Sequence, residues 1–145
     1  MQVIKSSLSF DGYAVDEISF KINHSFNANN GKEICLNPVL SKEVLENRKN
    51  QSKYIVKLSF EISHKTTSDS PFELKVALSG HFTLGGEEKN KALIQENAVA
   101  ILFPYLRSII SIVTLNANIS PLLLPAMNVA EMLKNSEKTD SQDNQ

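Results

Sequence analysis

The sequence holds a single cysteine, Cys35, so no disulfide can form within the chain, and that usage fits a reducing compartment. Arginine is almost as scarce: Arg48 and Arg107 are the only ones. Basic residues total 15 against 16 acidic, a formal net charge of −1. A nucleic-acid binder concentrates basic charge to neutralise phosphates, and this balance argues against one. The N-terminus, MQVIKSSLSF, has no long apolar run of the kind a secretory signal needs. His24, His64 and His81 are the only histidines, and none belongs to an HxH, HExxH or Cys-paired metal pattern. Phosphate-binding glycine loops, a GxSxG elbow and a kinase-type catalytic loop are all absent. Glu87 and Glu88 open a helical stretch, where carboxylates suit the N-terminal dipole, and Cys35 reads as a buried, inert thiol among apolar neighbours. The expectation is a soluble cytoplasmic domain that is not an enzyme and takes no metal or cofactor. At 145 residues the chain is long enough for one domain with its own core.

What is present is alternation. In Tyr54–Ser63 the even positions Tyr54, Val56, Leu58, Phe60 and Ile62 are apolar or amphipathic, and Lys57, Ser59, Glu61 and Ser63 are polar. A period of two predicts a strand with one buried face. The pattern returns at Phe72, Leu74, Val76, Leu78, Phe82 and Leu84, set against Glu73, Lys75, Ser79 and His81. A polar stretch ending in Pro71 separates the two runs, which predicts an antiparallel hairpin. Gly80 marks either a bulge or a close backbone approach. Upstream, Ile18, Phe20 and Ile22 alternate with Glu17, Ser19 and Lys21, and the segment from Val3 to Phe10 either joins that strand or precedes it. Glu33 to Leu45 is a less regular strand candidate, and Pro38 makes it an edge or bulged strand.

The second half differs. From Asn97 to Ala130 the only charged side chain is Arg107. A helix that is apolar nearly all round either spans a membrane or is buried on more than one side. Arg107 near its centre, Pro104 and Asn116 work against the membrane. The soluble alternative places one face on the sheet and the other against a second subunit. Pro121 and Pro125 break the run, a short helix is expected over Val129–Lys134, and Asn135–Gln145, with no apolar residue, is expected to be a disordered polar tail. The predicted class is α+β: a four-stranded antiparallel sheet, a long apolar helix and a short C-terminal helix, in one domain over residues 1–134.

Leu102-Phe103-Pro104-Tyr105-Leu106-Arg107, Leu124-Pro125-Ala126-Met127-Asn128-Val129 and Asp16-Glu17-Ile18-Ser19-Phe20, in this order of elements, resemble the SecB protein-export chaperones. Their hallmarks are a helix reading LFPYAR, an LPPINF-like connector and a first-strand DISF motif. Leu106, Ala126 and Val129 are departures. The resemblance implies an ATP-independent, homotetrameric holdase (a dimer of dimers) that keeps unfolded polypeptides soluble and, in the export branch, hands precursors to SecA. It implies a client-binding groove for which Phe20, Phe26, Tyr105, Leu122, Leu124, Met127, Val129 and Met132 are candidates, although ordinary core packing explains each equally well. Phe103, Ile109, Ile110 and Val113 are candidates for core or oligomer interface. SecA docking in the family uses an acidic sheet surface. Glu17 keeps one acidic position, but Lys21 and Lys75 stand at two others, and the near-neutral total charge departs from the acidic family. A dedicated role, such as protecting an aggregation-prone antitoxin, therefore stands beside export. A non-chaperone adaptor reusing the fold is the alternative of another class, and a carrier of a lipid-like molecule is a more distant one.

Overall fold

A computed structural model describes residues 8–26, 36–63, 70–85 and 94–118. The two alternating runs form β3 (Lys53–Ile62) and β4 (Phe72–Leu84), which pair antiparallel with Tyr54 opposite Phe82, Leu58 opposite Leu78 and Ile62 opposite Leu74. Each of these side chains is buried, as are Val56, Phe60, Val76 and Leu84, so the expected hairpin supplies the floor of the core. β1 (Leu8–Ile22) lies against β4 and β2 (Val39–Glu46) against β3, both antiparallel, giving the order β1-β4-β3-β2. β2 follows Pro38 directly and is an edge strand, where a proline costs no ladder hydrogen bond. The turn between β2 and β3 is closed by Asn side chains: Asn47 Oδ1 accepts from the amides of Lys49 at 2.9 Å and Asn50 at 3.3 Å, and Asn50 Oδ1 from Ser52 N at 3.1 Å.

After one π-helical turn, Ile94–Ala98, the chain enters α1 (Val99–Asn116). Val99, Leu102, Phe103, Leu106, Ile110 and Thr114 are its buried residues, spaced to form one stripe that packs on β3 and β4. The Thr114 hydroxyl avoids being stranded in that stripe by donating to Ile110 O at 2.9 Å. Gly80 resolves as the close approach: a Cβ there would meet Leu102 Cδ2 and Phe82 Cε2 at 2.7 Å. The pairing through Gly80 is unshifted on the β3 side; the bulges fall on β1 instead, at Asp11 and Asp16. The α+β architecture read from the sequence is therefore the one observed, with Leu8–Phe10 and Ile18–Ile22 joined in the single strand β1, while residues 3–7 lie outside the described residues. The short helix expected over 129–134 and the tail over 135–145 lie outside the described residues.

Candidate functional site

In strict alternation an extra residue would throw the rest of a strand onto the opposite face. At each of two points β1 carries such a residue, and the bulge absorbs it. Leu8 and Phe10 pair with Leu84 and Phe82; past Asp11, Tyr13 and Val15 pair with Gly80 and Leu78; past Asp16, Ile18, Phe20 and Ile22 pair with Val76, Leu74 and Phe72. All of these β1 side chains thus share the helix-bearing face of the sheet. The helix, however, packs on β3 and β4. Among the described residues β1 is covered only in part, with Leu8, Phe10 and Phe20 half-buried but Tyr13 40%, Val15 44% and Ile18 52% exposed.

The first bulge needs Gly12, whose φ of +131° is a conformation that L side chains rarely adopt. Each bulge carboxylate is held on the opposite, polar face by a hydroxyl of β4: Thr83 Oγ1 donates to Asp11 Oδ2 and Ser79 Oγ to Asp16 Oδ2. Lys53 Nζ stands 3.8 Å from Asp11 and donates to Thr83 Oγ1 at 2.8 Å. The Thr83 hydrogen bond, helped by the positive charge of Lys53, holds the Asp11 carboxyl below its ordinary value.

The helix contributes the second wall. The Tyr105 ring centroid lies 4.5 Å from Tyr13 and 5.9 Å from Phe10, which identifies the flank of α1 that turns towards β1. Residues four apart share a helix side, so the half-buried Ile101 and Ile109 flank Tyr105, and Ile112, 54% exposed, continues the row a turn further on. Arg107 and Ser111 fall on the other flank. Apolar side chains of β1 and α1 therefore meet where Tyr105 packs on Tyr13 and Phe10, and the same flank of the helix carries Ile101, Ile109 and Ile112.

Of the candidate groove residues, Tyr105 sits at the centre of this surface and Phe20 at one end, half-buried with its ring 5.5 Å from Phe72. Phe26 is half-buried beyond the end of β1, after a turn in which Asn23 O accepts Phe26 N at 3.2 Å. Leu122, Leu124, Met127, Val129 and Met132 lie outside the described residues. Among the interface candidates, Phe103 and Ile110 are buried by their own protomer's sheet, whereas Ile109 and Val113 are only partly covered. Sequence reasoning did not single out Tyr13, Val15 or Ile112. The signal for the first two is a repeated apolar-Asp-x-apolar unit five residues apart, Phe10-Asp11-Gly12-Tyr13 and Val15-Asp16-Glu17-Ile18, which alternation counting discards as noise.

The reverse face of the sheet carries a network of charged side chains, with Val39, Leu45 and Ile55 of β2 and β3 also on it by register. Lys75 Nζ lies 3.3 Å from Glu17 Oε2, and across the ladders Lys75 opposes Glu61, Lys21 opposes Glu73 and Lys57 opposes Glu43. Both lysines that depart from the family pattern therefore sit opposite carboxylates. His24 and His81 are exposed and His64 lies outside the described residues. Among the described residues no cluster of three or more potential metal ligands occurs.

Residues 6–140 match the family described as "Preprotein translocase subunit SecB". An uncharacterised protein of Methanocaldococcus jannaschii, MJ0357, is 36% identical over 137 residues, covering 92% of this chain and 87% of that protein. The protein-export protein SecB of Orientia tsutsugamushi (strain Ikeda) is 32% identical over 89 residues, 60% of this chain and 54% of its own length. Among solved structures, the Mycobacterium tuberculosis Rv1957 SecB-like chaperone, in complex with a ChAD peptide from the Rv1956 HigA1 antitoxin, superposes with a TM-score of 0.66. That match covers 83% of this chain and 91% of the other at 14% identity, and so speaks to the fold.

Proposed function

The chain belongs to the SecB family, and from that premise we propose that it is an ATP-independent holdase that binds unfolded polypeptide on the apolar surface shared by β1 and α1. The observation that carries this reading is the set of exposed apolar side chains around the contact of β1 with α1: Tyr13, Val15 and Ile18 on the helix-bearing face of the strand, and Tyr105 and Ile112 on the flank of the helix whose Tyr105 packs on Tyr13. A holdase must capture apolar segments of many sequences. Shallow apolar contacts in series do this without reading individual side chains, and several weak contacts along one chain add up by avidity. The outer edge of β2, which pairs with no further strand among the described residues, offers backbone groups to an extended client as a second element of affinity.

The protein works in this reading as a cytoplasmic homotetramer, a dimer of dimers in which copies cover part of the same surface and clients take the rest. Leu122, Leu124, Met127, Val129 and Met132 extend the client groove, and Ile109 and Val113 the subunit contact. A dedicated client fits better than general export. Docking of SecA calls for acidic surface, and here Glu17 is already engaged by Lys75 while Lys21 stands opposite Glu73. An antitoxin is a client of the appropriate kind.

The test is suppression of aggregation of a chemically denatured model client by stoichiometric protein without nucleotide. Wild-type protein keeps the client soluble, and a Val15→Asp/Tyr105→Ser variant needs about tenfold more protein to do so, the cost of roughly 1.4 kcal/mol in lost apolar contact. A wild-type protein that leaves the aggregation rate unchanged sinks the reading and leaves an adaptor module in its place.

A further inference from the structure

Removing Asp11 and Asp16 from β1 on paper leaves Leu-Ser-Phe-Gly-Tyr-Ala-Val-Glu-Ile-Ser-Phe-Lys-Ile, an uninterrupted alternation of apolar and polar or small residues. Every side chain would keep its present face, because the two aspartates are the extra residues that the ladder with β4 skips. The bulges are therefore not needed to aim the apolar side chains. What they add is shape: a bulge bends its strand and sharpens its twist. Two of them five residues apart, on an edge strand with no outer neighbour among the described residues, curve the row that carries Tyr13, Val15 and Ile18.

Both bulges are also secured. Each carboxylate reaches the polar face and accepts a hydroxyl from β4, Asp11 from Thr83 and Asp16 from Ser79, and Lys53 stands behind the first. Gly12 supplies the positive φ that the first one requires. Two different hydroxyl residues meet two aspartates at matching places, so the arrangement occurs twice in one strand. We propose that Asp11 and Asp16 are positioning residues of the binding surface: clamped by Thr83 and Ser79, they hold β1 in the curved form that an unfolded client recognises. The inference rests on the chaperone reading for the identity of the occupant, and it assigns the selectivity of the surface to its shape as well as to its composition. A surface held in its bound shape before the partner arrives loses less on binding.

The probe is fluorescently labelled, reduced and carboxymethylated α-lactalbumin, a permanently unfolded polypeptide, titrated against full-length protein. Deletion of both aspartates weakens its binding roughly tenfold, with the exposed apolar residues unchanged in number and face. Asp11→Asn/Asp16→Asn, which keeps the extra residues and the carbonyl acceptors, binds within about twofold of wild type. Near-UV dichroism of the Tyr13–Tyr105 pair reports that β1 and α1 remain docked in each variant. Should the deletions prevent folding, Ser79→Ala/Thr83→Val releases the clamps at constant chain length and weakens binding by roughly threefold. Wild-type protein that leaves the probe free overturns the chaperone reading. Folded deletion variants, or clamp variants, that bind as tightly as wild type overturn the positioning role alone.

Discussion

A methyl group at position 80 would sit 2.7 Å from Leu102 Cδ2, 2.8 Å from Leu102 Cδ1 and 2.7 Å from Phe82 Cε2. Leu102 is 0% and Phe82 1% exposed, so neither can swing into free space. Gly80 is the point at which the helix rests on the sheet, and what matters there is the absence of a side chain. Gly80→Ala is expected to lower the stability of the fold by about 1–3 kcal/mol, the usual cost of overpacking a closed core. Urea titration checks this as a shift in midpoint at constant slope. Pairing the change with Leu102→Ala identifies the cause: the penalty of the alanine should shrink in that background, giving a coupling of more than about 0.5 kcal/mol. Additive effects would place the clash elsewhere.

At the scale of elements, some strands are legible from sequence and one is legible only in part. β3 and β4 are buried on one face, so alternation writes them plainly and their hairpin follows. β2 is marked by Pro38, although its beginning at Val39, later than the composition suggested, depends on pairing with β3. β1 shows its second half, Ile18 to Ile22, but the bulges at Asp11 and Asp16 invert the count twice and conceal that Phe10, Tyr13, Val15 and Ile18 share a face. Tyr105 was legible as a candidate because it lies in the helix motif; its partners on β1 were not, because their proximity is tertiary. The helix presents two apolar sides, one resting on β3 and β4 and one turned towards β1, as a nearly uncharged sequence must. The stretch Ile94–Asn116 is also long and apolar enough to cross a membrane by length and composition, yet its buried stripe is committed to the sheet. Ile112→Asp tests what covers the second side. An exposed substitution costs an isolated protomer less than about 0.5 kcal/mol. Buried between copies, the same carboxylate would be unpaired and costly. If the proposed assembly uses this flank, sedimentation velocity shows it reduced to smaller species with far-UV dichroism intact, whereas Ser19→Asp on the polar face leaves it as it was. An unaltered assembly in the Ile112→Asp protein would remove this flank from the subunit contact.

Taken whole, the described residues weight charge towards one face of the sheet and large apolar side chains towards the other. On the outer side Lys75 meets Glu17 and lies opposite Glu61, Lys21 lies opposite Glu73, Lys57 opposite Glu43 and Lys53 beside Asp11, with Val39, Leu45 and Ile55 among them, while Lys42 and Glu46 of β2 fall on the helix-bearing face by register. The other side, next to the helix, exposes Tyr13, Val15, Ile18, Tyr105 and Ile112 among the described residues. Such a surface favours association driven by burial, and association feeds back on stability: a partner that binds only the folded chain raises the apparent stability by mass action. If copies of the chain cover the surface, the thermal midpoint depends on protein concentration. Each tenfold dilution removes about 1.4 kcal/mol of association free energy per contact. A domain of this size loses about 2–8 °C in midpoint for each kcal/mol, so scans over a hundredfold range of concentration should separate by at least several degrees. Salt then distinguishes the force involved. Screening weakens contacts between exposed charges, while sulfate strengthens apolar burial. Where copies do cover the surface, sodium sulfate should stabilise the dilute sample by more than it stabilises the Ile112→Asp variant, in which that contact is expected to be lost. A midpoint that stays constant over the whole concentration range would mean that no copy of the chain covers the surface, leaving all of it open to clients.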